Sequence, residues 1–459
     1  MTRTLLAAAE VVATMDDAGT EIPGGSILLD GGAIAWAGAG APPPELAEGA
    51  ELVDARGTVA VPGLVNTHHH LYQVLTRVRA QERGLFDWLR ELYPVWAGLD
   101  AEWEAAAATV GLAELALSGC STTTDHHYVF PAGAPGLLEA EIGAARAVGL
   151  RFHPCRGSMD LGASTGGLPP DAVVQDTDAA LAETEAAVRA FHDPSPGSML
   201  RVAVAPCSPF SASARLMRES AEVARRLGVL MHTHIAETLD EEAYCLATFG
   251  RRPLDLLEDL GFLGEDVWLA HCVHLSDEDV RRVASTGTGV AWCPTSNLRL
   301  GSGVARARDL LDAGARVGLG VDGSASNDGG DLLAEARQGM LASRGGGLAG
   351  AVSAREALRA ATRGGAACLG RDDVGSIEPG KRADVALFRV DGLGFAGAEA
   401  DPVAALLHCA PRRARDLFVE GRRVVAGGRL TGVDEDAAAA EGRRVGLRIA
   451  RGGGDEGSA

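Results

Sequence analysis

Eight short apolar runs, each followed by a stretch of different periodicity, organise the middle of this 459-residue chain. They are VAVPGLVNTHHH, STTTDHHY, LRFHPCRGSMD, RVAVAPCSPF, GVLMHTHIAE, VWLAHCVHL, GTGVAWCPTSN and ARVGLGVDGSASN. Stretches between them, such as EAAAATVGLAELALSG and ARLMRESAEVARRLG, have helical periodicity and end at Gly. Strands alternating with helices build parallel sheets, because a parallel crossover needs a helix-length connection. Eight such units predict a closed (β/α)8 TIM-type barrel, with the chemistry at the carboxyl ends of the strands. An open doubly wound sheet is the alternative, but no GxGxxG follows the first run.

The two ends read differently. Residues 1–61 and 378–435 alternate short apolar runs with Gly and Asp turns (GGSILLDGGAIAWAG; DVALFRV, then DLFVEGRRVVAGGRL). Neither end buries much apolar surface alone, so the two are expected to form one small β-sandwich around a catalytic barrel of residues 62–377. The Ala-, Arg- and Gly-rich tail, 436–459, reads as a loose helix with a disordered end. Two insertions break the rhythm. Residues 71–100 concentrate aromatics and read as a lid or pocket wall, and residues 157–176, with Gly-Gly and Pro-Pro, as a mobile flap.

The polar residues cluster where strands hand over to loops. His68 and His70 alternate, so their imidazoles point the same way while His69 faces away. HTHIAE adds His232 and His234 on one face and Glu237 beyond the strand end; His271 ends the sixth strand and Asp322 the eighth. Taken singly, a core histidine or a helix N-cap accounts for each. Together they offer three histidines and a carboxylate for a divalent ion, with a further Glu and His for moving protons. This is the inventory of metal-assisted hydrolysis.

Composition removes competitors. A net charge of −20 argues against nucleic acid and anionic membranes as partners. Lys381 is the only lysine and lies after the barrel pattern, which disfavours Schiff-base, P-loop and carboxylated-lysine chemistry together. The eight cysteines form no CxxC pair and read as reduced thiols. The opening MTRTLLAAAEVVATMDD is too short in apolar residues, with Glu10 inside it, for a signal peptide. The expected setting is the cytoplasm, with no membrane span.

PGLVNTHHH, HTHIAE, AHCVHL and GVDGSASN resemble the amidohydrolase superfamily, in its mononuclear deaminase and aminohydrolase branch. The resemblance covers nearly the whole chain, split sandwich included. It implies one Zn2+ per subunit, or Fe2+, held by His68, His70, His234 and Asp322. In that pattern Glu237 handles protons near the substrate ring, His271 orients or polarises the attacking water, and Asp322 is both ligand and base. The binuclear branch carries a carboxylated Lys on the fourth strand, which RVAVAPCSPF lacks. A non-catalytic scaffold of this fold would show broken ligand positions; here each is filled. Cyclic-imide hydrolases ordinarily use the missing lysine.

A deaminase must hold a flat heterocycle. Gln73 offers an amide for a guanine-like edge, Arg156 a fork for a carbonyl oxygen, and Trp88 and Tyr93 faces for stacking. His126 and His127 are expected to support the site rather than ligate. HHHLYQ followed by GLFDWLRELYPVW, with CRGSMDLG and GGLPPDAVVQD, is similar to the 8-oxoguanine deaminases, which form urate and ammonia. Guanine deaminases carry Arg where this chain has Cys207, which argues against plain guanine. Isoxanthopterin and s-triazines are the alternative substrates, and a homo-oligomer is expected.

Overall fold

The computed structural model describes residues 3–409 and 413–452. Its centre is a closed barrel of eight parallel strands: Leu64–Asn66, Cys120–His127, Arg151–Ser158, Ala203–Pro206, Met231–Ile235, Val267–His271, Gly289–Trp292 and Arg316–Leu319. The last pairs with the first, Leu319 against Asn66, and closes the cylinder. These strands are almost continuously buried, as parallel strands covered on both faces must be. All eight runs singled out in the sequence supply one barrel strand each.

The first run is two strands rather than one. Thr58–Pro62 pairs antiparallel with Val385–Arg389 outside the barrel, and the barrel strand starts at Leu64. Gly63 makes the transfer, and a Cβ there would overlap the Ser121 side chain. The sandwich therefore draws on both ends of the chain. A sheet of Ala33–Ala39, Gly25–Asp30, Arg3–Ala7 and Glu51–Asp54 faces a seven-stranded sheet that runs from Arg429–Leu430 to Glu21–Pro23. Leu6, Ile27, Leu29, Val12, Val385, Leu387 and Phe418 fill the space between them.

The tail departs from the sequence reading. Glu435–Ala450 is a regular helix, capped by the Asp434 side chain and docked on the helix Ala101–Leu117. Val445 and Ile449 bury against the aromatic cluster of the 71–100 insertion, and Arg448 pairs with Asp100 at 3.0 Å and Glu102 at 2.7 Å. An i, i+4 apolar pair with flanking arginines was enough to dock it. The disordered end expected after it falls in 453–459, outside the described residues. Among the described residues, no helix is long and apolar enough to cross a membrane.

Candidate active site

At the carboxyl mouth of the barrel, hydrogen bonds settle which ring nitrogens carry protons. The His70 Nδ1 faces the His126 carbonyl at 2.7 Å, and the His234 Nδ1 faces the Cys207 carbonyl at 2.7 Å. A carbonyl only accepts, so each Nδ1 holds the proton and each Nε2 a lone pair. His232 Nδ1 donates to the Trp268 carbonyl at 2.8 Å, so its Nε2 accepts from His68 Nδ1 at 2.8 Å. The His68 Nε2 is thus also a bare lone pair, buried without a donor.

These three Nε2 atoms and Asp322 Oδ1 converge. His70 Nε2 lies 3.1 Å from His234 Nε2, and Asp322 Oδ1 lies 3.3 Å from both His68 Nε2 and His70 Nε2. Four acceptors face one another with no proton between them, which is untenable unless a cation joins them. A tetrahedral ion with bonds of about 2.0–2.1 Å sets its ligands about 3.3–3.4 Å apart. The donor set fits a divalent ion. Burial holds His70 and His234 neutral, each pushed down to about 4.

The backbone pays attention to where these groups point. Ala236, His271 and Asp322 sit at φ of 53°, 73° and 61°, a left-handed region that non-glycine residues avoid. Glu241 holds the first of these turns, accepting the Ala236 and Glu237 N–H groups at 3.0 and 2.8 Å. Ser296 donates to Asp322 Oδ2 at 2.5 Å, and Ser326 approaches the same oxygen at 3.3 Å. His271 Nδ1 accepts from the Asn297 amide at 3.0 Å, which leaves its Nε2–H facing Glu237 Oε2 at 3.5 Å. Ser302 donates to the other Glu237 oxygen at 3.2 Å. Burial, with Asp322 nearby, pushes the Glu237 carboxyl well above the usual range. His232 was placed beside His234 by its motif, and the structure makes it the partner that fixes the His68 tautomer. Glu241, Ser296, Asn297 and Ser302 were not singled out in the sequence. Of these only Ser296 and Asn297, in the PTSN string that closes the seventh run, lay near enough to a motif to be found.

A narrow pocket opens onto this centre. His70, His234, Glu237, His271 and Asp322 form its floor, and Leu85, Trp88, Leu89 and Tyr93 of the helix Leu85–Trp96 its wall. The 71–100 insertion is therefore the pocket wall. The Trp88 indole N–H is tied to the Ala325 carbonyl at 3.2 Å. Gln73 is fully buried at the cavity, its Oε1 without a donor, and a Cβ on Gly323 would overlap that amide. The 157–176 segment packs down rather than hanging free. Met159 and Val173 join the aromatic cluster, and the Asp160 and Leu161 N–H groups bind the Ser211 carbonyl, both at 3.1 Å.

Arg156 is a correction. It was expected to reach a substrate carbonyl, but its guanidinium points away from the cavity, stacks 3.7 Å over the Phe130 ring and pairs with Glu183 at 2.6 Å and Gln175 at 2.8 Å. Strand alternation explains this: Cys155 faces the barrel interior, so its neighbour faces the helices. His126 stacks on His234, with centroids 4.6 Å apart, and donates from Nε2 to the Ala205 carbonyl at 3.0 Å.

The Amidohydrolase family matches residues 59–422. The chain is 47% identical to an 8-oxoguanine deaminase of Pseudomonas aeruginosa strain PAO1, over 91% of this chain and 92% of that one. It is 39% identical to an isoxanthopterin deaminase of an unknown prokaryotic organism, over 94% and 93%. The crystal structure of atrazine chlorohydrolase TrzN from Arthrobacter aurescens TC1 complexed with zinc superposes with a TM-score of 0.92 at 35% identity, covering 96% of this chain and 100% of that one.

Proposed function

The chain belongs to the amidohydrolase family, and on that premise we propose that it is a metal-dependent deaminase converting 8-oxoguanine and water to urate and ammonia. The observation that carries this reading is the meeting of three unprotonated Nε2 atoms and the Asp322 carboxylate beside a pocket that also holds Glu237 and His271. We assign His68, His70, His234 and Asp322 as ligands of one divalent ion per subunit, zinc with iron as the alternative. When bound, that ion supplies Lewis acidity and lowers the pKa of a water toward ~7.

The chain's own groups do the rest. Asp322 takes the proton that the attacking water gives up as its oxygen bonds to the amino-bearing ring carbon. His271, protonated on Nε2, donates a hydrogen bond to that oxygen. Glu237 enters as a neutral acid and protonates the adjacent ring nitrogen. The proton held by Asp322 passes to the departing amine, which leaves as ammonia. The emptied Glu237 carboxylate takes the second proton from the added oxygen as it becomes the carbonyl, so both carboxyls return to their starting states. Ser302 keeps the Glu237 carboxyl turned inward.

Leu85, Trp88 and Leu89 give the pocket an apolar wall, which suits the face of a flat heterocycle. Gln73, with an unused Oε1, supports an edge that donates hydrogen. The eight cysteines are unpaired, which suits the cytoplasm. The test is ammonia release by zinc-loaded protein from 8-oxoguanine, guanine, isoxanthopterin and an s-triazine side by side. The largest kcat/KM on 8-oxoguanine is the expected result, and no ammonia from any fused aminopyrimidinone would overturn the reading. Isoxanthopterin is the second reading, on the strength of the 39% identical deaminase.

A further inference from the structure

The end of the second barrel strand clamps the loop that carries His70. The His126 N–H donates to the His69 carbonyl at 2.7 Å, the His126 carbonyl accepts from His70 Nδ1 at 2.7 Å, and the Leu71 N–H donates to Asp125 Oδ1 at 2.5 Å. Asp125 and His127 lie on the opposite strand face from His126 and look outward. There they meet Glu104 on the helix Ala101–Leu117 and Glu141 on the helix Leu137–Val148, all four groups at 0% exposure.

This sealed space is short of hydrogens. His127 Nε2 donates to the Val129 carbonyl at 2.9 Å, so its Nδ1 faces Glu141 Oε1 in direct hydrogen-bond contact, with Glu104 Oε2 3.7 Å away. Written as carboxylates, the three acids leave both Glu104 oxygens, Glu141 Oε2 and Asp125 Oδ2 with no donor. Glu104 and Asp125 each stand within hydrogen-bond reach of Glu141. Between two carboxyl oxygens, only a proton makes a bond.

We propose that Glu104, Asp125, His127 and Glu141 form an electrically neutral proton-sharing cluster that positions the His70 loop. Glu104 and Asp125 are un-ionised acids that each donate to Glu141, and one further proton is shared between Glu141 and His127 Nδ1. Three mobile protons over four groups leave no net charge, and every orphaned oxygen facing Glu141 gains a partner. Burial acts in the same direction, raising the Glu104 and Asp125 carboxyls well above their usual range and Glu141 to about 8. A cation is the other way to neutralise the space, since Glu104, His127 and Glu141 each present a ligand atom within 4.8 Å of the others. The direct His127–Glu141 bond occupies the place such an ion would need.

The inference rests on the proposed function only in taking His70 as a metal ligand. Its test compares isosteres with truncations in the zinc-loaded full chain. Asp125→Asn keeps an acceptor for the Leu71 N–H and a donor toward Glu141, and Asp125→Ala removes both; Glu104→Gln and Glu104→Ala make the same pair. The isosteres are expected to hold zinc within about threefold of wild type in chelator competition, and the alanines to weaken it about tenfold or more. In infrared spectra at neutral pH, each isostere is expected to delete the carbonyl stretch of one un-ionised carboxyl. The proposal falls if Asp125→Asn weakens zinc as much as Asp125→Ala, if no such band disappears, or if Glu104→Gln costs a second equivalent of metal. His70→Ala, run alongside, separates the two readings: unchanged zinc affinity there refutes the ligand assignment, while the infrared bands still judge the cluster.

Discussion

At the barrel mouth, His68, His70 and His234 have each turned their one proton outward, to His232 or to a carbonyl, so the nitrogens left facing Asp322 carry only lone pairs. Behind the second strand, Glu104, Asp125 and Glu141 also set acceptor against acceptor, but each of those groups is able to bind a proton of its own. Both places are buried, and both would be strongly repulsive as drawn in heavy atoms alone. What differs is where the neutralising charge comes from. An imidazole locked in one tautomer by a backbone carbonyl has no second proton to offer near neutral pH, so the mouth calls for a cation. A carboxyl in the same degree of burial simply keeps its proton. The tautomer lock, set by the partners on the far side of each ring, is what separates a metal site from a structural acid cluster.

Stripping the metal breaks this comparison most severely. Chelation is expected to abolish ammonia release, with recovery on adding zinc or ferrous ion, and to lower the melting temperature. An ion present at about 100 times its Kd contributes ~2.7 kcal/mol to the folded state. Scanning calorimetry of apo and zinc-loaded protein measures the shift, and no change in either melting or activity would remove the cation from the mouth. Next in size is Glu237→Gln, which keeps the ligands and removes the proton carrier. It should retain stoichiometric zinc by elemental analysis while kcat falls by ~10²–10⁴. Near wild-type turnover with full metal would exclude Glu237 from proton transfer.

Ser296→Ala probes the support of Asp322 rather than the ligand itself. Losing the 2.5 Å bond to Oδ2 leaves only the longer approach from Ser326. A fall of about tenfold in both zinc affinity and kcat/KM is expected, the lower end of what removing a ligand's hydrogen-bond partner costs. Equal values for variant and wild type in both assays would mean that Ser326 suffices alone.

The acid cluster predicts a pH effect of its own. An acid whose folded pKa is raised binds its proton more tightly in the folded chain than in the unfolded one. Its contribution to stability is full below the unfolded pKa and is lost as pH rises through the folded pKa. For Glu141 that window runs from 4.5 to about 8. Glu104→Gln combined with Asp125→Asn removes two of the raised acids. Urea unfolding of the double variant should therefore lose less stability than wild type between about pH 5 and about pH 8. Parallel curves for the two proteins would show that those acids are ionised after all.

Legibility in the sequence followed the strands. The eight runs were readable because each pairs an apolar core with a polar end, and the barrel order then followed from the βα rhythm. His70, His234, Glu237, His271 and Asp322 come to one pocket, with His68 just beneath it against Asp322, because they all sit at those ends. The partners that hold them were harder to see. Glu241 and Asn297 lie inside helical stretches, where a polar residue reads as solvent-facing, and Glu104 and Glu141 are hidden for the same reason although both are fully buried. The tail was read as a helix, but a loose one, because its docking depends on two apolar residues, Val445 and Ile449, in an Ala- and Arg-rich stretch.

Arg156 shows why a fully buried strand defeats side-chain phase. In Arg151–Ser158 every residue is buried, so no alternation of apolar and polar residues marks which face meets the barrel interior. The structure turns Arg156 toward the helix Thr177–Phe191, where it bonds Glu183 and Gln175 and lies over Phe130. The smallest catalytic effect in the series is accordingly expected from Arg156→Ala: KM for 8-oxoguanine within about twofold of wild type, because no part of the guanidinium reaches the cavity floor. The loss should appear instead as stability, since the variant gives up a buried cation–π contact of about 2 kcal/mol and its hydrogen bonds. Thermal melting of the zinc-loaded variant measures that loss. A KM raised tenfold with an unchanged melting temperature would return Arg156 to the substrate, and would mean that the loop after the third strand turns inward when the heterocycle binds.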